Sequence, residues 1–255
     1  MSNNNYDQNC RITLSANAGI SVSMHGSRVW VDALHNIRTE QYSTITPEML
    51  EAMKECEAFT QPDAIVYTHC HNDHFSYDLT LGAMREWPDA VVALPEKRFE
   101  RQLVAEDGML RFRAGSLEVA MLRLPHDGDE YADVDNYACV ISPADGGAGH
   151  NILVLGDAAL GCPELTEQLE AAGFGDETGG WKIDVAVVDF PWAAVTRGRT
   201  VIDNILRPGH LLICHLPFSE EDRRGYGDMI RRVLKKFRNI EDIRILDTFL
   251  QTEII

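Results

Sequence analysis

Basic residues are scarce in this chain. In 255 residues, 23 Lys and Arg stand against 40 Asp and Glu, for a formal net charge of −17. An acidic surface of that size repels polyphosphate backbones, so no nucleic-acid partner is expected. Solubility alone is a sufficient reason for the charge. The only notably basic stretch, Arg223 to Arg238, reads as one face of a late helix. Long apolar runs are also missing, which excludes a membrane-spanning helix. The start, Met1 to Gln8, lacks the basic residues and apolar stretch of a secretory signal. The six cysteines (Cys10, Cys56, Cys70, Cys139, Cys162, Cys214) include no CxxC pair. That suits reduced thiols in a cytoplasm better than a disulfide framework. There is no internal repeat, low-complexity tract or linker. One domain over residues 1–255 is expected, with a core drawn from the 45% of residues that are hydrophobic.

What the chain does have is Thr68-His69-Cys70-His71-Asn72-Asp73-His74-Phe75. Three histidines and one aspartate stand in the pattern H-x-H-x-D-H. Imidazole and carboxylate are good ligands for zinc and similar divalent ions. Neighbouring side chains on a loop point in different directions, so the four cannot comfortably bind one ion. Two ions, with His69 and His71 facing one and Asp73 and His74 the other, is the natural solution, and two-metal centres are built for hydrolysis. An accidental cluster on a surface loop is the bland reading.

The pattern of the rest is α/β with many short strands. Arg11 to Leu34 reads as a hairpin turning at His25-Gly26-Ser27. Thr46-Pro47-Glu48 is a helix start, with Met49, Leu50 and Met53 inward. Ala64 to Tyr67 is a buried strand that delivers the histidine run, and Ser76 caps the helix after it. Val91 to Leu94 reads as a strand and Pro95 to Leu103 as a short helix. Leu117 to Leu124 is a strand. Tyr137 to Ile141 and Ile152 to Leu155 pair around the turn Asp145 to Gly149. Pro163 to Ala172 is helical, and Asp184 to Val188 and Leu211 to Cys214 are buried strands. Ser219 is the expected cap of a last helix whose Met229, Ile230, Val233, Leu234 and Phe237 share a face. Ile243 to Phe249 reads as the closing strand.

Three more candidate ligands follow apolar strands directly: His126 after Leu122 to Pro125, Asp157 after Ile152 to Gly156, and His215 after Leu211 to Cys214. Functional groups are often held on loops rooted in rigid elements. Singly, each is more often a cap or a satisfied polar residue. His215 is preferred to His210, which follows a turn at Arg207-Pro208-Gly209, and His126 to His150, which lies in the Gly-rich hairpin loop.

The order His69-x-His71-x-Asp73-His74, then His126, Gly156-Asp157 and His215 resembles the metallo-β-lactamase-fold hydrolase superfamily, over nearly the whole chain. The resemblance implies a four-layer αββα sandwich with the metals at one edge between the sheets. It implies two divalent ions, zinc first with manganese and iron as alternatives. His69, His71 and His126 would hold one, Asp73, His74 and His215 the other, with Asp157 between them. A hydroxide between the ions would be the nucleophile, and Asp73 would orient it or accept a proton. The run Thr-His-x-His-x-Asp-His-Phe-Ser looks more like the lactonase-like branch that includes ascorbate-6-phosphate lactonase than like the tRNA-processing or thioesterase members.

The expected activity is therefore hydrolysis of an ester, lactone or phosphate ester in a small molecule, in a cytoplasmic protein that is a monomer or homo-oligomer. The rivals are a nuclease of the same fold, a di-iron redox protein and a non-enzymatic metal-binding protein. Asp32, after Val29-Trp30-Val31, is placed either to receive the second ring nitrogen of a ligand histidine or as a strand-end cap. His25 and His35 read as surface residues or supports of the ligands. Arg197 and Arg199 either bind an anionic substrate group or lie on a solvated loop. Phe190 and Trp192 line the pocket or belong to the core. The acidic loop Asp127, Asp129, Glu130, Asp133 and Asp135 either selects against anions or is solvated. Specificity is expected in 35–44, 127–136 and 191–200.

Overall fold

In the computed structural model, which describes residues 9–39, 42–105, 108–175 and 181–255, the later strands send alternate side chains into two different apolar cores. The strands are β1 (Arg11–Leu14), β2 (Ile20–Met24), β3 (Ser27–Val31), β4 (Ala64–Val66), β5 (Val91–Leu94), β6 (Leu103–Val104), β7 (Met109–Ala114), β8 (Leu117–Leu124), β9 (Asn136–Pro143), β10 (Ile152–Val154), β11 (Val185–Asp189), β12 (His210–Cys214), β13 (Asp242–Ile245) and β14 (Thr252–Ile254). The helices are α1 (Pro47–Lys54), α2 (Tyr77–Glu86), α3 (Glu164–Ala171), α4 (Phe190–Ala194), α5 (Thr196–Val201) and α6 (Tyr226–Val233).

On β8, Leu117, Val119 and Met121 join the core that also holds Ile12, Ile20 and Val29 of the first sheet. Ala120, Leu122 and Leu124 instead pack with Leu165 and Leu169 of α3. The same division holds on β11, where Val185 and Val187 face the other sheet and Ala186 and Val188 face helices. A strand's period of two makes this possible only when both faces are covered, which is why these strands are apolar throughout. The result is two seven-stranded sheets, ordered β14-β1-β2-β3-β4-β5-β6 and β13-β12-β11-β10-β9-β8-β7. Met53 and Phe59 near α1 and Ala83 of α2 add to the core on the first sheet. The arrangement is the expected α/β sandwich, with helices outside two facing sheets.

Direction matters more than order for the site. β3, β4 and β5 run parallel, as do β10, β11 and β12. β9 is antiparallel to β10, and β8 antiparallel to β9, so β8 points the same way as β10. The carboxyl ends of β3, β4, β8, β10, β11 and β12 are thereby available to one edge, where α/β sheets carry their ligands.

Several sequence expectations hold. The turn at His25-Gly26 has both residues at positive φ, 53° and 75°, as a two-residue hairpin requires. Thr46 and Ser76 cap α1 and α2 through their hydroxyls. β9 and β10 pair antiparallel around the Gly-rich turn.

Others are corrected. Pro95 to Leu103 is no helix. The Gln102 side chain accepts from Arg98 N and Phe99 N and donates to Glu96 O, so a side chain replaces the helical hydrogen bonds, and Leu103 enters β6. Ser219 caps nothing helical. The Asp222 carboxylate takes the amides of Tyr226 and Gly227 at 3.1 and 2.8 Å, and α6 starts there. Met229 is exposed rather than inward. The closing strand is two strands. β13 ends at Ile245, and the chain then crosses so that β14 pairs with β1 of the other sheet. The opening hairpin likewise contains a second turn, at Asn17 to Gly19, between β1 and β2. Met1 to Gln8, Glu40 and Gln41 lie outside the described residues. No helix among the described residues is long and apolar enough to cross a membrane, and all six cysteines are free thiols.

Candidate metal centre

All seven residues singled out in the sequence meet at this edge. His69, His71, Asp73 and His74 occupy the loop between β4 and α2. His126 follows β8 and makes a bridge to Ala158, Asp157 follows β10, and His215 follows β12. Ligand-type atoms of His69, His71, His126 and Asp157 all lie within 4.8 Å of one another, as do those of Asp73, His74 and His215.

Asp157 divides its two oxygens between the groups. Oδ2 lies 3.7 Å from His69 Nε2 and 3.8 Å from His126 Nε2. Oδ1 lies 3.2 Å from His74 Nε2 and 3.6 Å from His215 Nε2. His215 Nε2 is also 3.6 Å from Asp73 Oδ2. For tetrahedral zinc with bonds near ~2.05 Å, neighbouring ligand atoms stand about 3.3 Å apart, close to these spacings.

The other ring nitrogens decide the tautomers. Asp32 accepts from the amide of Thr68 at 2.8 Å, from its hydroxyl at 2.6 Å and from His74 Nδ1 at 3.0 Å. The Thr68 hydroxyl, already donating to Asp32, accepts from His69 Nδ1 at 3.0 Å. His126 Nδ1 donates to the carbonyl of Asp127 at 2.7 Å. With Nδ1 protonated in all three, each Nε2 keeps a lone pair aimed into the cluster. His69 Nε2 and His126 Nε2 are buried with no hydrogen-bond partner, and His74 Nε2 stands 3.2 Å from His215 Nε2. Buried acceptors that converge without donors need a cation, so the residues present fit the ions that the sequence implies.

Burial holds the His69 imidazole well below its ordinary value, and the charge on His74 adds to this. Burial also acts to lower His74, but the carboxylates of Asp157 and Asp32 outweigh it and hold that ring well above its usual range, so a proton competes with an ion for its Nε2. For Asp157 and Asp73, burial favours the neutral acid. The surrounding histidines more than offset it, and both carboxyls end below the usual range, hence ionised.

Backbone strain sits at the same points. Asp32 and His215 have φ of 52° and 58°, in the left-handed region that non-glycine residues seldom adopt. The His215 amide donates to Asn17 O at 2.9 Å, and Asn17 Nδ2 donates to Asp73 O at 3.1 Å, so the β1–β2 turn ties the two loops together. Gly156 has φ of 57°, and a Cβ there would fall 2.6 Å from Thr68 Cβ, so glycine is required just before Asp157.

No protein-family model matches the chain, and no curated protein matches it in sequence. Among solved structures, the metallo-β-lactamase fold protein YhfI from Bacillus subtilis aligns over 97% of this chain and 99% of its own, with 13% identity and a TM-score of 0.62. The chain has the metallo-β-lactamase fold. Two further structures align with it to a similar extent. Igni18, a metallo hydrolase from Ignicoccus hospitalis, covers 97% of this chain and 98% of its own at 16% identity and a TM-score of 0.63. An isothiocyanate hydrolase from Delia radicum gut bacteria covers 95% and 98% at 15% identity and 0.61.

Around this cluster lies a cleft of about 440 Å³. Tyr42 packs on His215 with ring centroids 4.3 Å apart, and Tyr131 packs on both His71 and His126 at 5.0 Å. Neither tyrosine was singled out in the sequence, and nothing in their spacing marks them. Asp189, the last residue of the apolar β11, carries no mark in the sequence beyond that position. It forms a third group with Asp157 and His215. Burial and the charge of Asp157 hold its carboxyl well above the usual range, so it carries a proton beside the ionised Asp157.

The supporting residues sort cleanly. Asp32 is the partner of His74. His35 is fully buried, donates from Nε2 to Ala16 O and supports the loop rather than facing solvent. Trp192 is core, and its indole donates to Ala158 O at 2.9 Å, fixing the turn after Asp157. Arg199 is buried, with its guanidinium on Ala193 O and Thr196 Oγ1, and is not available to a substrate. Arg197 is exposed beside the site. In the acidic loop, Asp135 pairs with Arg123 at 2.7 Å.

Proposed function

We propose that the protein is a metal-dependent hydrolase of small molecules that carries two divalent ions, zinc first. His69, His71 and His126 would hold one ion, Asp73, His74 and His215 the other, and Asp157 would serve both. The observation that carries this is the division of the Asp157 oxygens between two histidine groups. Such a pair supplies Lewis acidity toward a carbonyl or phosphoryl oxygen and activates water near neutral pH.

The chain's own residues do the positioning. Asp32, the Thr68 hydroxyl and the Asp127 carbonyl hold protons on three Nδ1 atoms and so fix where Nε2 points. Asp73, ionised and half-buried, presents Oδ2 as an acceptor that orients water toward the reacting carbon. Tyr42 and Tyr131 wall the cleft and limit the water around it. The net charge of −17 favours small substrates over nucleic acid.

The test has two parts. Metal content of protein purified without chelator or metal-binding tag is read by mass spectrometry, and about two equivalents per chain are expected. No tightly held metal after reconstitution sinks the proposal, and two equivalents of iron redirect it to oxygen chemistry. Rates on ester, lactone, phosphodiester and isothiocyanate substrates then rank the chemistry. An ester or lactone is expected to lead, in line with the lactonase-like motif, and a dominant phosphodiester rate overturns that part.

A further inference from the structure

Beyond His126, the metal cleft is continued by a second cavity of about 590 Å³. His126 walls both. Ala159, Leu160 and Val195 give this side cavity an apolar lining, and Asp127, Asp129 and Arg197 are its charged residues. Each of the two cavities lies in the size range of small-molecule sites.

The Arg197 stem packs on the backbone of Gly161, and its guanidinium is exposed. Its side chain lies over Gly161, where a Cβ would fall 2.8 Å from Arg197 Cγ, and Gly161 has φ of 63°. The position therefore needs glycine both for its backbone and for the arginine above it. Among the described residues no acid pairs with Arg197, and no base pairs with the half-buried Asp127. The cavity thus offers one guanidinium and the carboxylates of Asp127 and Asp129, with no ion pair between them.

That combination selects by charge. A simple anion gains from Arg197 but is repelled by Asp127, Asp129 and the net charge of −17. A simple cation meets the reverse at Arg197. A group carrying both charges satisfies both residues, the carboxylate on the planar guanidinium and the ammonium on the aspartate. We propose that the side cavity seats the zwitterionic head of an amino-acid-derived substrate, so that an ester on its side chain reaches across His126 to the metal cleft. The inference rests on the hydrolase reading for its reaction. There, the ester C–O bond breaks, water gives its oxygen to the acyl carbon, and its protons end on the released alcohol and acid.

The test separates the two readings. Titration calorimetry of L-serine, L-homoserine and L-glutamate against the full protein needs no turnover. At least one is expected to bind with one site per chain, its N-acetyl derivative at least tenfold more weakly, and Arg197→Met and Asp127→Asn each to weaken it about tenfold. If none of the three binds, or if both variants bind like wild type, the seat is wrong. In turnover, the kcat/KM ratio of L-glutamate γ-methyl ester to methyl butyrate is expected to be ten or more and to collapse in Arg197→Met. A ratio near one in wild type overturns the inference while leaving the hydrolase reading intact. Failure to cleave any ester, with amino-acid binding retained, overturns the hydrolase reading alone.

Discussion

Asp32 accepts three hydrogen bonds, two from Thr68 and one from His74, from a backbone conformation with φ of 52°. Asparagine tolerates that conformation, so Asp32→Asn changes the charge and one donor without changing the turn. Its Nδ2 would then confront His74 Nδ1–H and push the ring to the wrong tautomer. Metal affinity in chelator competition is expected to fall by about 10–100-fold, and an unchanged affinity would refute the role given to Asp32. His35 makes a pH prediction at the same scale. Burial holds its imidazole down to about 4 from an ordinary 6.5, against the smaller opposing pull of Ala16 O. A base kept neutral by the fold contributes fully above 6.5, and that contribution is lost as pH falls toward 4. The amount is about 3 kcal/mol. His35→Gln keeps a donor for Ala16 O but does not titrate. The gap in unfolding free energy between wild type and variant should therefore narrow from pH 7 to pH 4. A gap constant with pH would show that His35 does not carry the acid sensitivity.

The short α4 and α5 form a corner after Asp189. Their close approach requires Gly198, where a Cβ would lie 2.4 Å from Trp192 O. Arg199 closes the corner by donating to Ala193 O and Thr196 Oγ1, both at 2.9 Å. Arg199→Met leaves the carbonyl end of α4 buried and unsatisfied. A loss of about 2 kcal/mol or more in chemical denaturation is expected, and a neutral substitution would mean water replaces the guanidinium. The elements also show how far sequence patterns reach. Apolar runs announced β4, β8, β10, β11 and β12, because strands covered on both faces have no polar alternation to hide behind. Residues 95–103 read as a helix because helix propensity is local, whereas the Gln102 side chain that ties the segment is a particular contact. β14 was missed because three residues, two of them exposed, leave no period to read, and only β1 makes them a strand.

At the scale of the molecule, the cluster joins loops from both sheets, so ions bound there cross-link the sandwich. Stripping them leaves Asp73 and Asp157 beside unpaired histidines. At free ion about 1,000 times the dissociation constant, binding adds about 4 kcal/mol. The melting temperature is expected to drop on exhaustive chelation and to recover when the ion is returned. A melt indifferent to chelation would argue that the seven residues hold no metal.

Residue type and order in the chain were enough to determine the candidate set. The run from His69 to His74 and the strand-end positions of His126, Asp157 and His215 are local facts, and each ligand type announces its own chemistry. The partner of each ring nitrogen, the division of the Asp157 oxygens, the nearness of Asp189, and the burial of Arg199 against the exposure of Arg197 were decided by tertiary structure alone. These depend on distances between segments far apart in the chain, set by parallel strand direction and by the φ of single residues such as Asp32, Gly156 and His215. No pattern along the sequence encodes such distances.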